Sequence, residues 1–221
     1  MGAKATYNFD KDFNDAFVKY PRLKEVDLEG TRCMTGWIDL IHPILGKFDE
    51  YRVLIKYIDE FPYRFPTVYE LDGKIPRDIE YNRHIYTDTK SLCFGVLPEQ
   101  LIVCRNTMPT VKFIDEILVP HLARETLRNN GEPYPDGGRS HGIKGTWEFF
   151  EEKLNISEPT IILEILEKIA SRSLPSRNDP CICGSIKKYK NCHINGISYL
   201  SSIEPRYLRE IIVKMKEKDQ S

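Results

Sequence analysis

The sequence has little net charge and no long apolar run. Its 32 basic and 33 acidic side chains leave a formal net charge of -1 over 221 residues. Such a balance favours neither nucleic acid nor an anionic membrane surface as the main partner. No stretch approaches the ~18 apolar residues that would span a bilayer, and residues 1–6 lack the apolar core of a secretory signal. We therefore expect a soluble, cytoplasmic protein that recognises its partners at local sites.

Cysteine is sparse, with only six residues in the chain. In a reducing compartment such cysteines are better interpreted as metal ligands, nucleophiles or core residues than as a disulfide framework. Cys33 and Cys104 have apolar neighbours, which predicts that both are small buried residues. The other four cysteines remain as candidates for chemistry.

The length and the 41% apolar content suit one medium domain with a small appendage. Apolar spacing predicts a first helix over residues 10–26. Clusters of apolar, aromatic and β-branched residues predict strands at 31–40, 51–58 and 67–71, with a hairpin loop at 46–50. These strands form an antiparallel meander in our interpretation.

The residue pattern in the second half of the chain predicts mostly helices and loops. Residues 72–100 have no helical period and are expected to form a long irregular loop, which is usually functional in a compact domain. A helix is predicted from Pro109-Thr110, with Pro120 kinking or ending its first part. The remaining predicted elements are a glycine-rich loop over 129–145, short helices over 147–154 and 159–170, a linker over 171–179, and a terminal amphipathic helix over 208–215.

Three cysteines and a histidine cluster near the C-terminus. Cys181 and Cys183 are followed by the adjacent pair Cys192 and His193. Thiolate sulfur and imidazole nitrogen are the ligands that zinc prefers, and four protein ligands leave no coordination position open for catalysis. We predict a structural zinc site, although unrelated core or reactive cysteines remain the alternative. The turn at 184–185 could support the sulfurs with backbone N–H groups.

Residues 178–193 resemble the SEC-C motif, named for its occurrence at the SecA C-terminus. The resemblance covers the whole motif and departs from it where Ile186 replaces the usual glycine. It implies zinc and a structural or protein-binding tail. Lys187, Lys188 and Lys190 offer phosphate contact as an alternative, but a short basic run is usually a solvated surface.

Cys93 follows the polar stretch 87–91 and precedes Gly95. Such a loop can expose a sulfur, and Lys90 or His84 would favour its thiolate form. Composition alone leaves a nucleophile and a buried small residue as equal alternatives.

Three segments resemble the active-site approach of ubiquitin-conjugating enzymes. They are Phe61-Pro62-Tyr63-Arg64-Phe65-Pro66-Thr67-Val68, Arg83-His84-Ile85-Tyr86 and Ser91-Leu92-Cys93-Phe94, placed between a β-meander and a helix. The similarity covers residues 10–127. Together with the SEC-C tail it is similar to the bacterial branch found in antiphage cyclic-oligonucleotide signalling (CBASS) operons beside a cyclic-nucleotide synthase.

This resemblance implies an α+β fold with a ubiquitin-conjugating-like antiparallel β-meander flanked by helices, plus a small C-terminal zinc-binding module. We divide the chain into a conjugating-like domain at 1–128, a helical extension at 129–170, and the linker, zinc motif and terminal helix at 171–221.

The resemblance also implies that Cys93 carries a thioester to the C-terminus of a protein acyl donor and surrenders it to an amine. The donor would be a cyclic-nucleotide synthase or a ubiquitin-like protein. Eukaryotic members use a His-Pro-Asn tripeptide, whereas this chain has no Asn beside His84. His84 or backbone N–H groups near Cys93 are therefore candidate oxyanion donors. His141 could fold over the cysteine, and Asp88 could orient or deprotonate the amine.

Other function classes remain open at this point. A non-catalytic adaptor with the conjugating fold would bind a partner through its zinc tail. A zinc hydrolase needs an open coordination position, which four ligands do not leave. A cysteine protease could use Cys93 with His84 or His141, but only the residue types support it.

Overall fold

A computed structural model describes residues 7–77, 83–86, 88–133 and 140–218. The chain separates into two compact units. The first contains the described residues of 1–94 and 106–138, and the second contains those of 95–105 and 139–221. The three-way division predicted from the sequence stays a prediction.

The first unit contains a four-stranded antiparallel sheet whose strands follow chain order. Helix α1 (Phe9–Lys19) precedes β1 (Leu23–Leu28), β2 (Thr31–His42), β3 (Gly46–Lys56) and β4 (Thr67–Glu70). β-branched and aromatic side chains fit a pleated, half-buried surface, which explains why these segments form strands. The structure thus confirms the α+β class and the antiparallel meander.

The helix predicted over residues 10–26 was wrong in its second half. α1 ends at Lys19, just before Pro21, and residues 23–28 instead pair with β2 from Leu23↔Gly36 to Leu28↔Thr31. Proline disfavours helical conformation in the residue before it, so the helix stops there. Gly36 has a φ of 146°, and a Cβ on it would lie 2.1 Å from the Arg22 carbonyl oxygen, so this close approach of β1 requires glycine.

The hairpin loop predicted at 46–50 was also wrong, because these residues begin β3. The turn lies one step earlier, at residues 43–45, between the paired residues His42 and Gly46. The His42 Nδ1 accepts hydrogen bonds from the backbone N–H groups of Ile44 and Leu45, each at 3.2 Å. The first residues of β3 are exposed and do not alternate between apolar and polar side chains, so the sequence pattern did not predict this part of the strand.

The predicted helix after Pro109 is confirmed and covers one side of the sheet. It runs through α3 (Thr110–Phe113), a π-helical turn at Ile114–Leu118 and α4 (Val119–Asn129). Asp12 of α1 accepts hydrogen bonds from the Thr110 backbone N–H and hydroxyl, so it caps the start of α3. α4 packs against β2 and β3. The fully buried side chains of this core include Phe13, Met34, Ile38, Leu40, Ile55, Phe113, Ile114, Leu118 and Leu122.

The second unit is helical. It contains α2 (Leu97–Val103), which leads into a 3₁₀ turn at Cys104–Asn106, then α5 (Gly142–Leu154), α6 (Pro159–Ala170), a 3₁₀ turn at Tyr189–Asn191, α7 (Ile194–Leu200) and α8 (Pro205–Lys218). Its core includes Phe149, Phe150, Ile162, Ile165, Leu166, Ile197, Leu200, Leu208 and Met215. A Cβ on Gly196 would lie 2.5 Å from the Lys153 carbonyl oxygen, so glycine lets α7 approach the end of α5.

Several loop boundaries predicted from the sequence were wrong in this half of the chain. α2 begins inside the loop predicted over 72–100, because Pro98 is tolerated in a first helical turn. Residues 142–145 belong to α5, and α7 was not predicted at all. Residues 78–82, 87 and 134–139 of the two predicted loops lie outside the described residues.

The structure bears on two expectations, one about membrane-spanning helices and one about the burial of Cys33 and Cys104. In the ranges that the structure describes, every helix is too short or too polar to cross a membrane. Cys33 and Cys104 are both fully buried, as predicted. All six cysteines lie within those ranges, and none forms a disulfide.

Candidate functional site

A short antiparallel bridge in the first unit positions Cys93. Ile85 pairs with Leu92, and the Cys93 backbone N–H donates to the His84 carbonyl oxygen at 2.7 Å. The Leu92 N–H donates to the carbonyl oxygen of Val68 in β4 at 2.8 Å. Cys93 is therefore fixed to the sheet by backbone hydrogen bonds.

Two side chains of this bridge lie near the Cys93 sulfur. A ring nitrogen of His84 lies within 4.8 Å of the Cys93 Sγ. The Tyr86 hydroxyl lies within hydrogen-bonding reach of the Cys93 side chain. Burial, followed by the neighbouring Cys93, raises the pKa of Tyr86 well above its ordinary value, so the phenol keeps its proton. Cys93 itself is 6% exposed.

Sequence reasoning gave no role to Tyr86. Its position contained a usable signal, because a tyrosine hydroxyl two residues from the candidate His84 can donate a hydrogen bond at the same site. Tyr86 stands two residues after His84, and its backbone N–H donates to the Ser91 carbonyl oxygen at 2.9 Å. The bridge thus makes Tyr86 a diagonal neighbour of Cys93. An aromatic side chain is long enough to span the distance between diagonal neighbours.

The residue before His84 is held by a buried ion pair. The Arg83 Nε lies 2.9 Å and its Nη2 2.7 Å from the Glu125 Oε2, and Nη2 also donates to the Asn129 Oδ1 at 2.7 Å. The side chains of Arg83 and Glu125 are 7% and 0% exposed. This desolvated charge pair ties the segment that contains His84 to α4.

An aromatic cluster supports the other side of Cys93. The ring of Phe94 packs edge-on against His121 of α4 and Phe113 of α3, with centroids 5.0 and 5.5 Å apart. His121 is 7% exposed, and its Nε2 is buried without a hydrogen-bond partner in the described part of the chain. Burial first, then the nearby His84 and Arg124, lower the pKa of His121 to about 3.

The depressed pKa of His121 predicts a pH effect on stability. In the unfolded chain histidine titrates near its ordinary value of 6.5, so below that pH the unfolded state binds a proton that the folded state refuses. This contribution to stability is present above pH 6.5 and is lost as the pH falls towards 3, at up to about 1.4 kcal/mol per pH unit.

We expect His121→Phe, which keeps a ring against Phe94, to lose less unfolding free energy than the wild type between pH 6.5 and 4. Urea denaturation at several pH values measures this difference. Parallel pH profiles for the two proteins would contradict the prediction.

Three further residues, Asp88, Lys90 and His141, were predicted from the sequence to act at this site. Asp88 is exposed, and its carboxylate accepts a hydrogen bond from the Thr89 backbone N–H at 2.7 Å. Lys90 is exposed, with a φ of 60°. His141 belongs to the second unit, where it occupies the N-cap position of α5 and burial lowers its pKa. The roles suggested for these three residues stay predictions.

The second unit contains the candidate metal centre. The ligand atoms of Cys181, Cys183, Cys192 and His193 all lie within 4.8 Å of one another. The His193 Nδ1 is 3.4 Å from the Cys181 Sγ and 3.2 Å from the Cys192 Sγ, and the sulfurs of Cys183 and Cys192 are 3.6 Å apart. Three sulfurs and one imidazole nitrogen in this arrangement could hold a metal ion.

Backbone hydrogen bonds shape the loop that carries these ligands. Pro180 and Lys188 form an antiparallel bridge, and the Cys181 N–H donates to the Lys187 carbonyl oxygen at 3.0 Å. Gly184, with a φ of 77°, turns the chain after the first two cysteines and donates its N–H to the Cys181 carbonyl oxygen. Tyr189 is 4% exposed and packs with the helical core. The loop is thereby anchored to the rest of its unit.

Ser185 lies beside two of the ligand sulfurs. Its Oγ is 3.3 Å from the Cys183 Sγ and 3.4 Å from the Cys192 Sγ. Burial opposes ionisation of Cys183, but the hydrogen bonds of the Ser185 hydroxyl and backbone lower its pKa to about 6. Since metals bind the thiolate form, this environment favours coordination.

One segment of the second unit resembles known proteins. The family model for the SEC-C motif matches residues 177–195, which include all four ligand residues. The cysteine cluster thus lies within an SEC-C motif. Over 25 residues, 11% of this chain, the sequence is 68% identical to the protein translocase subunit SecA of Chlorobium phaeovibrioides.

That likeness is confined to a small part of each protein. The chain spans about 2% of the length of this curated relative. No solved structure matches the chain. The comparisons therefore confirm the predicted SEC-C motif.

Proposed function

We propose that this protein is a cysteine-dependent protein-conjugating acyltransferase of the ubiquitin-conjugating type. The observation that carries the proposal is the setting of Cys93, whose sulfur is within 4.8 Å of a His84 ring nitrogen and within hydrogen-bonding reach of Tyr86. A nucleophilic cysteine needs neighbours that can stabilise charge as it forms and leaves. The α1 helix, antiparallel meander and following helix also agree with the order that the resemblance implies.

The proposed reaction consists of two acyl transfers. The Cys93 thiolate first attacks the activated C-terminal carbonyl of a donor protein, forms a C–S bond and expels the activating group. An amine, in our proposal a lysine side chain, then attacks the thioester and releases the thiolate. The donor is a cyclic-nucleotide synthase or a ubiquitin-like protein, and the setting is cytoplasmic antiphage defence, as in the bacterial branch with an SEC-C tail.

Zinc is the metal that we propose for the second unit. Tetrahedral coordination with Zn–S bonds of about 2.3 Å places the sulfurs roughly 3.8 Å apart, close to the observed Cys183–Cys192 separation of 3.6 Å. Four protein ligands complete the coordination shell, so this centre is structural. Its role in the proposal is to hold a partner-binding tail in shape.

One observation favours a second candidate function. Cys93 is only 6% exposed, which is less than a nucleophile needs if the structure stays closed during the reaction. The alternative is therefore a non-catalytic adaptor with the same fold, which binds its partner through the zinc tail. The two functions differ in whether Cys93 is required.

The decisive experiment is the formation of a thiol-labile adduct. Purified protein is mixed with a candidate donor, either a ubiquitin-like protein or a cyclic-nucleotide synthase, prepared as a C-terminal thioester so that no activating enzyme is needed. We expect a band on non-reducing gels that disappears with reductant and is absent in Cys93→Ala. This substitution removes the only atom that can carry the acyl group in the proposed reaction.

Cys104→Ala is the matched control, because Cys104 is fully buried in the other unit and should leave the adduct unchanged. If no activated donor gives an adduct, and donor binding is equal in wild type and Cys93→Ala, the enzyme proposal fails and the adaptor is supported.

A further inference from the structure

We propose that the Tyr86 hydroxyl donates the hydrogen bond that stabilises the oxyanion formed at Cys93. Tyr86 then is a catalytic residue of the acyl transfer. This assignment rests on the proposed function, since an oxyanion forms only if Cys93 carries an acyl group.

The geometry points to this role because Tyr86 lies beside Cys93 across the Ile85–Leu92 bridge, with its hydroxyl within hydrogen-bonding reach of the sulfur. The backbone of Tyr86 is fixed at both polar groups. Its N–H donates to the Ser91 carbonyl oxygen at 2.9 Å, and its carbonyl oxygen accepts from the Lys90 N–H at 2.8 Å. In a thioester the carbonyl carbon is bonded directly to the sulfur. A donor held at the sulfur therefore needs only a small rotation to reach the carbonyl oxygen.

Two backbone donors of the bridge are already occupied. The N–H groups of Cys93 and Leu92 donate to the carbonyl oxygens of His84 and Val68. An oxyanion bound by either group would have to break a hydrogen bond that holds the bridge together. The Tyr86 hydroxyl can move from the sulfur to the oxyanion without this loss.

The surroundings also keep Tyr86 in its donor form. Burial contributes most to raising its pKa, and the neighbouring Cys93 and the carboxylate of Asp88 act in the same direction. The positive charge of Arg64 acts in the opposite direction but does not reverse the shift. A phenol that stays protonated can donate a hydrogen bond to an oxyanion without transferring its proton.

The step balances without another reagent. The amine nitrogen attacks the thioester carbonyl carbon, and the C=O π electrons move to the oxygen, which accepts the hydrogen bond from Tyr86. The amine loses its extra proton to water. The oxyanion then re-forms C=O, the C–S bond breaks, and Cys93 leaves as the thiolate.

Tyr86→Phe tests the assignment, because it removes only the hydroxyl. Wild type and variant are loaded with the donor thioester, excess donor is removed, and discharge to free lysine is followed on non-reducing gels. Loss of one oxyanion donor lowers such rates by about 10²–10³-fold. Tyr69→Phe removes a hydroxyl from β4 in the same unit and should discharge like the wild type.

Alkylation of Cys93 by iodoacetamide separates a catalytic role from a structural one. Alkylation forms no oxyanion, so we expect its rate to change far less in Tyr86→Phe than the discharge rate, which should fall by about 10²–10³-fold. An unchanged discharge rate in Tyr86→Phe would overturn the assignment, and so would a parallel fall in discharge and alkylation. If the wild type forms no adduct, the proposed function itself has failed, and this assignment fails with it.

Discussion

Glu125→Ala should lower the free energy of unfolding of the first unit by about 3–5 kcal/mol. The substitution leaves the Arg83 guanidinium, 7% exposed, without the carboxylate that accepts from its Nε and Nη2. A buried charge that loses its partner costs far more than the pair contributes, because its desolvation is no longer compensated. Asn129 still accepts one hydrogen bond from Arg83, but it supplies no charge.

Fluorescence can follow this unit separately. The chain has two tryptophans, Trp37 in β2 and Trp147 in α5, so a Trp147→Phe background leaves Trp37 as the reporter of the first unit. Urea denaturation in that background measures the expected loss. A loss below 1 kcal/mol would mean that the pair is solvated, contrary to its burial.

Two controls test the physical cause. The double variant Arg83→Met with Glu125→Leu removes both charges and should recover most of the lost stability. Asp15→Ala breaks the surface pair with Lys11, whose side chains are 72% and 52% exposed, and should change stability by less than about 1 kcal/mol.

The same variant should also loosen the candidate site. Arg83 directly precedes His84, whose carbonyl oxygen holds the Cys93 N–H at 2.7 Å. When Arg83 is released from α4, we expect Cys93 to react faster with iodoacetamide at urea concentrations where the unit remains folded. Such a result would link the ion pair between Arg83 and Glu125 of α4 to the exposure of Cys93.

Some elements of this fold can be predicted from the sequence alone, whereas others cannot. The meander and the helix after Pro109 were predictable, because side-chain periodicity and turn residues are local signals. The cluster of Cys181, Cys183, Cys192 and His193 was predictable because these residues are close in sequence. β1 was missed because its side chains alternate weakly and only pairing with β2 makes it a strand.

The candidate site depended more on contacts between distant residues. Cys93 and His84 were found by resemblance, but the ion pair of Arg83 joins residues 42 positions apart and leaves no local pattern. His121 looked like an ordinary helical residue until Phe94 packed against it. Such pairs are defined by the tertiary fold and not by local spacing.

Substitution of the candidate metal ligands should also have a large effect, both on metal content and on the stability of the second unit. In Cys181→Ser and Cys183→Ser we expect the metal content to fall from about one zinc per chain to near zero, because each variant leaves only three of the four ligands. Structural zinc sites in isolated fingers contribute about 10–16 kcal/mol of apparent binding free energy, so residues 177–195 should unfold locally.

The consequences should extend beyond the loop. Cys181 and Tyr189, each 4% exposed, pack with side chains of α6, α7 and α8 in one core. In a Trp37→Phe background, Trp147 reports the second unit, and both variants should shift its urea transition to lower concentration. A chelator added to the wild type should reproduce the shift, and added zinc should reverse it.

Cys104→Ala separates metal loss from the loss of a buried cysteine. Cys104 is fully buried but is not one of the four clustered ligand residues, so this variant should keep its zinc even if its stability falls. Full metal content in Cys183→Ser would sink the ligand assignment. An unchanged Trp147 transition after chelation would show instead that the helices are stable without the metal, because their apolar core then suffices to hold α5 to α8 together.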